Sequence, residues 1–307
     1  MASMVLKLNT GASIPALGLG TWQSEPGQVK EAVKHAVDVG YRHIDCAYAY
    51  GNEKEVGEGI AEALTSGKVS RKDLFVTTKL WCTYHSRVEE NLDKSLKSLG
   101  LEYVDLYLMH WPCPMNPKGN DEKVPTLPDG SRDLDHSWSH VQTYKAMEKL
   151  LQTGKVRAIG VANYSLKYLE ELLPQVSVVP AMNQIENHPY LPQQEIYEFC
   201  RSKDIVITAY SPLGSAGSPL MTDETVLEVA RKYKVSAGSV LLGYHIARQS
   251  CVLAKSVTPS RIEDNMRIIH LDSEDMSKLQ QIHKTKGIKR YIFPPFGPTF
   301  GFPDKEQ

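Results

Sequence analysis

The run Leu74-Phe75-Val76-Thr77-Thr78-Lys79, the helical pattern Arg87 to Leu99 and the run Val104-Asp105-Leu106-Tyr107-Leu108-Met109-His110 together decide the fold. Both outer runs are short and mostly apolar, and each ends on an ionisable side chain. A strand buried on both faces reads as a near-continuous apolar run rather than an alternating one. Two such strands joined through an amphipathic helix make a parallel crossover unit.

Working outward, the unit recurs. Ala16 to Gly20 and Tyr41 to Asp45 lie on the N-terminal side; Val156 to Val161, Ala181 to Ile185, Ile205 to Ala209 and Cys251 to Ala254 lie on the C-terminal side. With the two opening runs they make eight candidate strands. Helical patterns at Gln28 to Val39, Glu53 to Leu64, Trp138 to Leu151, Leu166 to Leu172, Gln193 to Lys203 and Arg261 to Ile269 fall between or after them. Eight such units in 307 residues predict one domain over residues 1–307, an α/β chain closed as a (β/α)8 barrel of the TIM type. Ala237 to Arg248 and Ser273 to His283 read as two extra helices, surplus to the eight repeats.

Three segments decorate the barrel. Val5 to Leu17 reads as a β-hairpin turning at Asn9-Thr10-Gly11, placed to lid one barrel end. Pro112 to Asp135 is too long for an ordinary connection and reads as a binding loop or mobile flap. The tail, Tyr291 to Gln307, carries Phe293, Phe296, Phe300 and Phe302 and is expected to cover one face of the barrel.

Composition narrows the function classes. A formal net charge of -1 supplies no field for nucleic acid or an anionic membrane. No stretch approaches the roughly 20 apolar residues of a membrane span, and Met1 to Thr10 lacks the apolar core of a secretory leader, so a cytoplasmic protein is expected. The five cysteines, 46, 82, 113, 200 and 251, are scattered, odd in number and never C-x-x-C, which predicts buried free thiols and no structural metal.

In a closed barrel, side chains at the C-terminal strand ends converge on one face, where this architecture places its active sites. Asp45, Lys79 and His110 end adjacent strands. A buried ammonium needs a counter-ion, so Asp45 and Lys79 should pair. Tyr50 follows Asp45 by five residues, close enough to fold back over the same space. Lys79 would lower the phenol's pKa by about 1 to 3 units, fitting Tyr50 as general acid to an oxygen that gains charge, with His110 orienting that oxygen. Trp22, Tyr48, Trp81 and Trp111 stand at strand ends or just beyond and are expected to wall an apolar substrate pocket.

None of these groups donates hydride. Gly18-Leu19-Gly20 begins a dinucleotide fingerprint, but Gln23 stands at its third glycine, and no phosphate-binding P-loop occurs. The late segment Lys255-Ser256-Val257-Thr258-Pro259-Ser260-Arg261 offers two cations beside a helix start, with Thr258 as N-cap and Pro259 at the first helical position. A ribose 2'-phosphate suits that cluster, favouring NADPH over NADH.

Three stretches resemble the signatures of the aldo-keto reductase family: Gly40 to Ala47 with Tyr50 and Glu53; Lys155 to Tyr164; and Lys255-Ser256 with Arg261. The resemblance implies a catalytic tetrad of Asp45, Tyr50, Lys79 and His110. It implies cofactor contacts from Thr21, Trp22 and Asp45 at the early strand ends, from Asn163 and Gln184 to the carboxamide, from Tyr210 stacked on the nicotinamide, and from Ser211, Leu213 and Ser215 along the pyrophosphate. Lys255, Ser256 and Arg261 would grip the 2'-phosphate, with Asp264 and Asn265 near the adenine. Trp22, Tyr50, Trp81, His110 and Trp111 would meet the substrate. Ala162 and Ala254 depart from the usual Ser or Cys and Pro of the pattern. The implied activity is NADP(H)-dependent reduction of aldehydes, small hydroxyaldehydes or sugars by a monomer. Two alternatives stand beside it: a cofactor-binding regulatory barrel, which an intact tetrad disfavours, and a metal hydrolase, for which only Asp45 and His110 qualify as strand-end ligands.

Overall fold

The computed structural model describes residues 4–215 and 217–306; Gln307, the end of the expected tail, and Met1, the start of the expected domain, lie outside them. Two short antiparallel strands, β1 (Val5–Lys7) and β2 (Ser13–Pro15), form the expected hairpin, with Leu6 opposite Ile14. Eight parallel strands then close on themselves: β3 (Leu17–Gly20), β4 (His43–Asp45), β5 (Phe75–Leu80), β6 (Val104–Met109), β7 (Val156–Ala162), β8 (Met182–Glu186), β9 (Val206–Tyr210) and β10 (Cys251–Lys255), the last pairing with the first. Each expected apolar run is one barrel strand.

Helices α1 (Val29–Val39), α2 (Glu53–Thr65), α3 (Val88–Leu99), α4 (His140–Leu150), α5 (Leu166–Leu172) and α6 (Gln194–Ser202) follow the first six barrel strands. Local chemistry sets their ends: Ser139 accepts from the Gln142 amide as half of a capping box, and Gly40 closes α1 at φ 115°. The C-terminal helices correct the sequence reading. The segment after β9 holds two helices, α7 (Glu224–Tyr233), which was not expected, and α8 (Ala237–Ala247). Helix α8 packs on β10 and is the helix of the seventh repeat rather than an extra one. The eighth repeat helix is α9 (Pro259–Asn265); the additional helices are α7 and α10 (Ser273–Lys286), which pack on each other and on α8. Burial explains the order: nearly every residue of α8 is buried, whereas α7 buries only Val226, Val229 and Ala230.

The hairpin seals the N-terminal end of the cylinder, where Leu8 and Ile14 pack with Phe75, Ala158, Ala181 and Cys251 near the strand starts. One layer up, buried His43 occupies space that Gly18 leaves open, since a β-carbon on Gly18 would lie 2.7 Å from His43 Nδ1. The tail covers the opposite end. Phe296 and Phe300 pack on Trp111 at ring-centroid distances of 5.7 and 5.2 Å, and Phe302 is buried beside them. All five cysteines are buried and free.

Candidate active site

The C-terminal mouth of the barrel opens into a cavity of about 640 Å³, between the strand ends, the loop after β6 and the tail. Asp45, the last residue of β4, and Lys79, near the end of β5, are both buried, with Lys79 Nζ 2.5 Å from Asp45 Oδ1. The same ammonium donates to the Cys46 carbonyl at 2.9 Å and to the Tyr50 phenol oxygen at 3.2 Å. Gln184, midway along β8, donates to the other carboxylate oxygen of Asp45 at 2.8 Å, so both oxygens are held. His110, following β6, stands edge-on to Tyr50 with ring centroids 5.6 Å apart. The structure therefore brings Asp45, Tyr50, Lys79 and His110 into one space.

Electrostatics refine the expected roles. Burial would depress Lys79, but the Asp45 carboxylate, with Tyr50 behind it, holds its pKa above the ordinary lysine value, so it stays an ammonium. Burial and the neighbouring Lys79 push His110 well below the usual imidazole range, leaving it neutral. Tyr50 corrects the sequence reading: its pKa is pushed up to about 12, not lowered, because burial of the phenolate outweighs the pull of Lys79. Among the described residues no protein group pairs with either ring nitrogen of His110, and Nδ1 is buried without a partner.

The rest of the wall divides into two regions. Trp22, Trp81 and Trp111 face the cavity with Phe296, as the aromatic reading expected. Tyr48 does not: it turns to the loop, bonding the Glu122 carboxylate at 2.6 Å and stacking edge-on against Tyr84. Asn163, Gln184, Tyr210, Ser211, Leu213, Ser215 and Lys255 line the other arm, with Thr21, whose hydroxyl donates to the Asp45 carbonyl. Tyr210 donates to Asn163 Oδ1 at 2.7 Å, and Asn163 Nδ2 donates to the His110 carbonyl at 2.8 Å. Asn163 and Ser211 both adopt left-handed backbone, at φ 62° and 51°.

Ser256, Arg261, Asp264 and Asn265 lie beyond the cavity wall, on and just before α9. Thr258 holds the N-cap position, but its hydroxyl caps nothing; the Ser256 hydroxyl instead accepts from the Thr258 amide. Asp264 is engaged by Ser236 at 2.6 Å and Asn265 is buried. Lys255 and Arg261 are exposed, and among the described residues neither has a carboxylate within 4.0 Å. Lys255 instead donates to the Gln23 carbonyl at 2.9 Å, across the arm. Two unneutralised cations at the end of a long polar arm fit a phosphorylated dinucleotide, and Thr21, Asn163, Gln184, Tyr210, Ser211 and Ser215 supply six polar or aromatic side chains along that arm.

Glu186, the last residue of β8 and fully buried, obeys the same strand-end rule as Asp45 and Lys79 but lies one residue beyond the apolar run that marks β8 in the sequence. Its oxygens accept from the backbone amides of Tyr291 and Ile292, each at 2.8 Å, and from His188 at 3.0 Å. The tail residues that wall the cavity are thus tethered to a barrel strand. Lys123 and Val124, from the expected binding loop, also line the cavity. Among the described residues no group of three His, Cys, Asp or Glu side chains is placed to hold a metal ion, and no helix is long and apolar enough to cross a membrane.

A model of the aldo/keto reductase family matches residues 16–284. This chain belongs to the aldo/keto reductase family. The aldo/keto reductase is 58% identical to a D-galacturonate reductase of Hypocrea jecorina, over 99% of this chain and all of that protein. It is 48% identical to a glycerol 2-dehydrogenase (NADP(+)) of Saccharomyces cerevisiae, over 97% of this chain and 96% of the relative. Its fold superposes on an aldose reductase of Schistosoma japonicum with a TM-score of 0.88 at 41% identity, covering 94% of both chains.

Proposed function

We propose that this aldo/keto reductase uses NADPH to reduce aldehydes, small hydroxyaldehydes and sugars to alcohols and polyols, with Tyr50 as the proton donor. The observation that carries the reading is the single ammonium of Lys79, held by Asp45 and donating to the Tyr50 phenol oxygen at the floor of the cavity. The names of its relatives, reductases and a dehydrogenase of polyols and sugar derivatives, support the reaction class.

Bound NADPH supplies the hydride. Lys255, Ser256 and Arg261 would hold its 2'-phosphate, Asp264 and Asn265 its adenine end, Ser211, Leu213 and Ser215 its pyrophosphate, and Asn163, Gln184 and Tyr210 its nicotinamide, with Thr21 and Trp22 beside it. The neutral His110 donates one N-H to the substrate oxygen and orients it. Tyr50 then gives up its proton to that oxygen as negative charge gathers there. An alkoxide is a far stronger base than a phenolate, so the transfer runs downhill even from a phenol whose pKa is pushed up to about 12. Lys79 stabilises the phenolate left behind, and Asp45 keeps Lys79 charged and in place. Trp22, Trp81 and Trp111 exclude water around the carbonyl.

The chain acts as one barrel domain over residues 1–307, as a cytoplasmic monomer. An assay with glyceraldehyde and a panel of aldoses, run with NADPH and with NADH, tests the reading. Turnover with NADPH favoured is expected; a chain that binds NADPH yet reduces no aldehyde would make it a regulatory barrel instead.

A further inference from the structure

The proposed mechanism needs His110 to aim one N-H at the substrate oxygen, yet no hydrogen bond holds its ring. Among the described residues neither ring nitrogen has a protein partner, and Nδ1 is buried. Packing holds the imidazole instead. Tyr50 stands edge-on to it at a centroid distance of 5.6 Å and Trp81 at 5.3 Å, with interplanar angles of 76° and 71°. The phenol of Tyr50 is itself fixed by Lys79. The aim of His110 therefore depends on what fixes Trp81.

Trp81 is buried, and its indole N-H donates to the Lys123 backbone carbonyl at 2.6 Å. An indole has no second polar atom, so this is the one directional bond that fixes the ring. Lys123 belongs to the loop after β6, and that loop is docked on the turn Cys82–Tyr84 that follows Trp81. The Thr83 hydroxyl donates to the Glu122 carbonyl at 2.7 Å. The Glu122 carboxylate accepts from the phenols of Tyr48 and Tyr84, both at 2.6 Å, and from Lys94 of α3 at 3.1 Å. Asp121 Oδ1 accepts from the amides of Lys123 and Val124 at 2.8 and 2.7 Å, closing a turn around the carbonyl that meets the indole. Short bonds to an ionised oxygen are the strong kind, and three donors converge on a carboxylate that is otherwise exposed. The two phenols, with Lys94, hold the Glu122 carboxyl down at about 2, so the clamp keeps its charge at neutral and mildly acidic pH.

We propose that Glu122 is a positioning residue for hydride transfer: through the Lys123 carbonyl it locks the Trp81 indole, and the indole keeps His110 aimed at the substrate oxygen. The proposal rests on the reductase reading above. The test follows single-turnover NADPH oxidation when the preformed enzyme-NADPH complex is mixed with glyceraldehyde. Wild type is compared with Glu122→Ala, Glu122→Gln, Trp81→Phe, which keeps an aromatic ring but loses the N-H, and the double variant of Glu122→Ala with Trp81→Phe. Glu122→Ala and Trp81→Phe should each slow the hydride step about tenfold, the scale of a slight misplacement of a group that orients the reacting atoms. In Glu122→Ala the glyceraldehyde concentration for half-maximal rate and the NADPH affinity should stay within about twofold of wild type, with the thermal midpoint unchanged, because the loss lies in orientation and not in binding. The double variant should be no more than about twofold slower than the slower single one, since both break the same path. Glu122→Gln keeps an acceptor oxygen for the phenols and should restore most of the rate. Thr83→Val, which removes the hydroxyl under the Glu122 carbonyl, gives the same reading should Glu122→Ala prove unstable. A hydride step as fast as wild type in Glu122→Ala, a loss carried only by weaker glyceraldehyde binding, or a double variant that multiplies the two single losses overturns the assignment and leaves the reductase reading standing. No NADPH oxidation by wild type with any aldehyde would sink that reading itself.

Discussion

Among single residues, the buried Asp45-Lys79 pair sets the chemistry and exposes the molecule to damage. Removing one partner leaves the other charge stranded in the barrel. Lys79→Met should therefore lower unfolding stability by about 3 to 5 kcal/mol in urea titrations, besides abolishing reduction, because Gln184 alone would be left to face the Asp45 carboxylate. Arg261 makes the opposite case, since it is exposed and, among the described residues, has no carboxylate within 4.0 Å. Arg261→Ala should weaken NADPH by roughly 10- to 100-fold, the size of a lost charge-assisted hydrogen bond, while NADH affinity changes little. Equal loss for both cofactors in fluorescence titrations would refute the phosphate assignment. The three groups around Tyr50, namely Asp45, Lys79 and His110, were legible in the sequence because strand ends of a closed barrel must converge. The direction of the Tyr50 shift was not, since it depends on how completely the phenol is buried, and sequence spacing shows the cation but not the burial. Tyr48 misled for a related reason: an aromatic beside a strand end can turn outward, and only the Glu122 carboxylate shows that it does.

At the level of elements, the tail is tied to the barrel through Glu186. Glu186→Gln would replace one of two amide-accepting oxygens with a donor group and remove the charge that holds Tyr291 and Ile292. Its expected signature is faster amide exchange across 291–296 and a several-fold rise in KM for aldehydes, with cofactor affinity within about twofold. Unchanged exchange in that segment would show that the aromatic packing of Phe296 and Phe300 suffices without the tether. The eight strands were readable because both faces of each are covered, which favours mostly apolar runs broken only by polar groups that find partners, such as Lys79 and Gln184. The last helices were not. Helix α8 is buried all round and so stood out strongly enough to look like an addition, whereas α7 fully buries just Val226, Val229 and Ala230 and fades among charged residues. Glu186 was overlooked although it stands at a strand end, because the run that announced β8 seemed to stop at Ile185.

For the whole molecule, buried neutral histidines link stability to pH. Burial pushes His43 down to about 4 and His85 down to about 3 from an ordinary value of 6.5. Below pH 6.5 the unfolded chain binds protons that the folded chain refuses, so stability should be full above that value and decline as the pH falls, levelling for these two groups only near 4 and 3. Each adds up to about 1.4 kcal/mol per pH unit to the slope, and His85→Gln should flatten it in urea titrations across that range. At the barrel mouth, the chemistry of the whole molecule comes down to whether the Tyr50 phenol delivers the proton. Steady-state NADPH oxidation with glyceraldehyde, measured on wild type and Tyr50→Phe beside cofactor titrations of both, decides it. A fall in kcat of about 100-fold or more with NADPH affinity within threefold is the expected result, the scale of a lost general acid. A Tyr50→Phe protein that still reduces glyceraldehyde at a tenth of the wild-type rate would contradict the claim that this phenol delivers the proton.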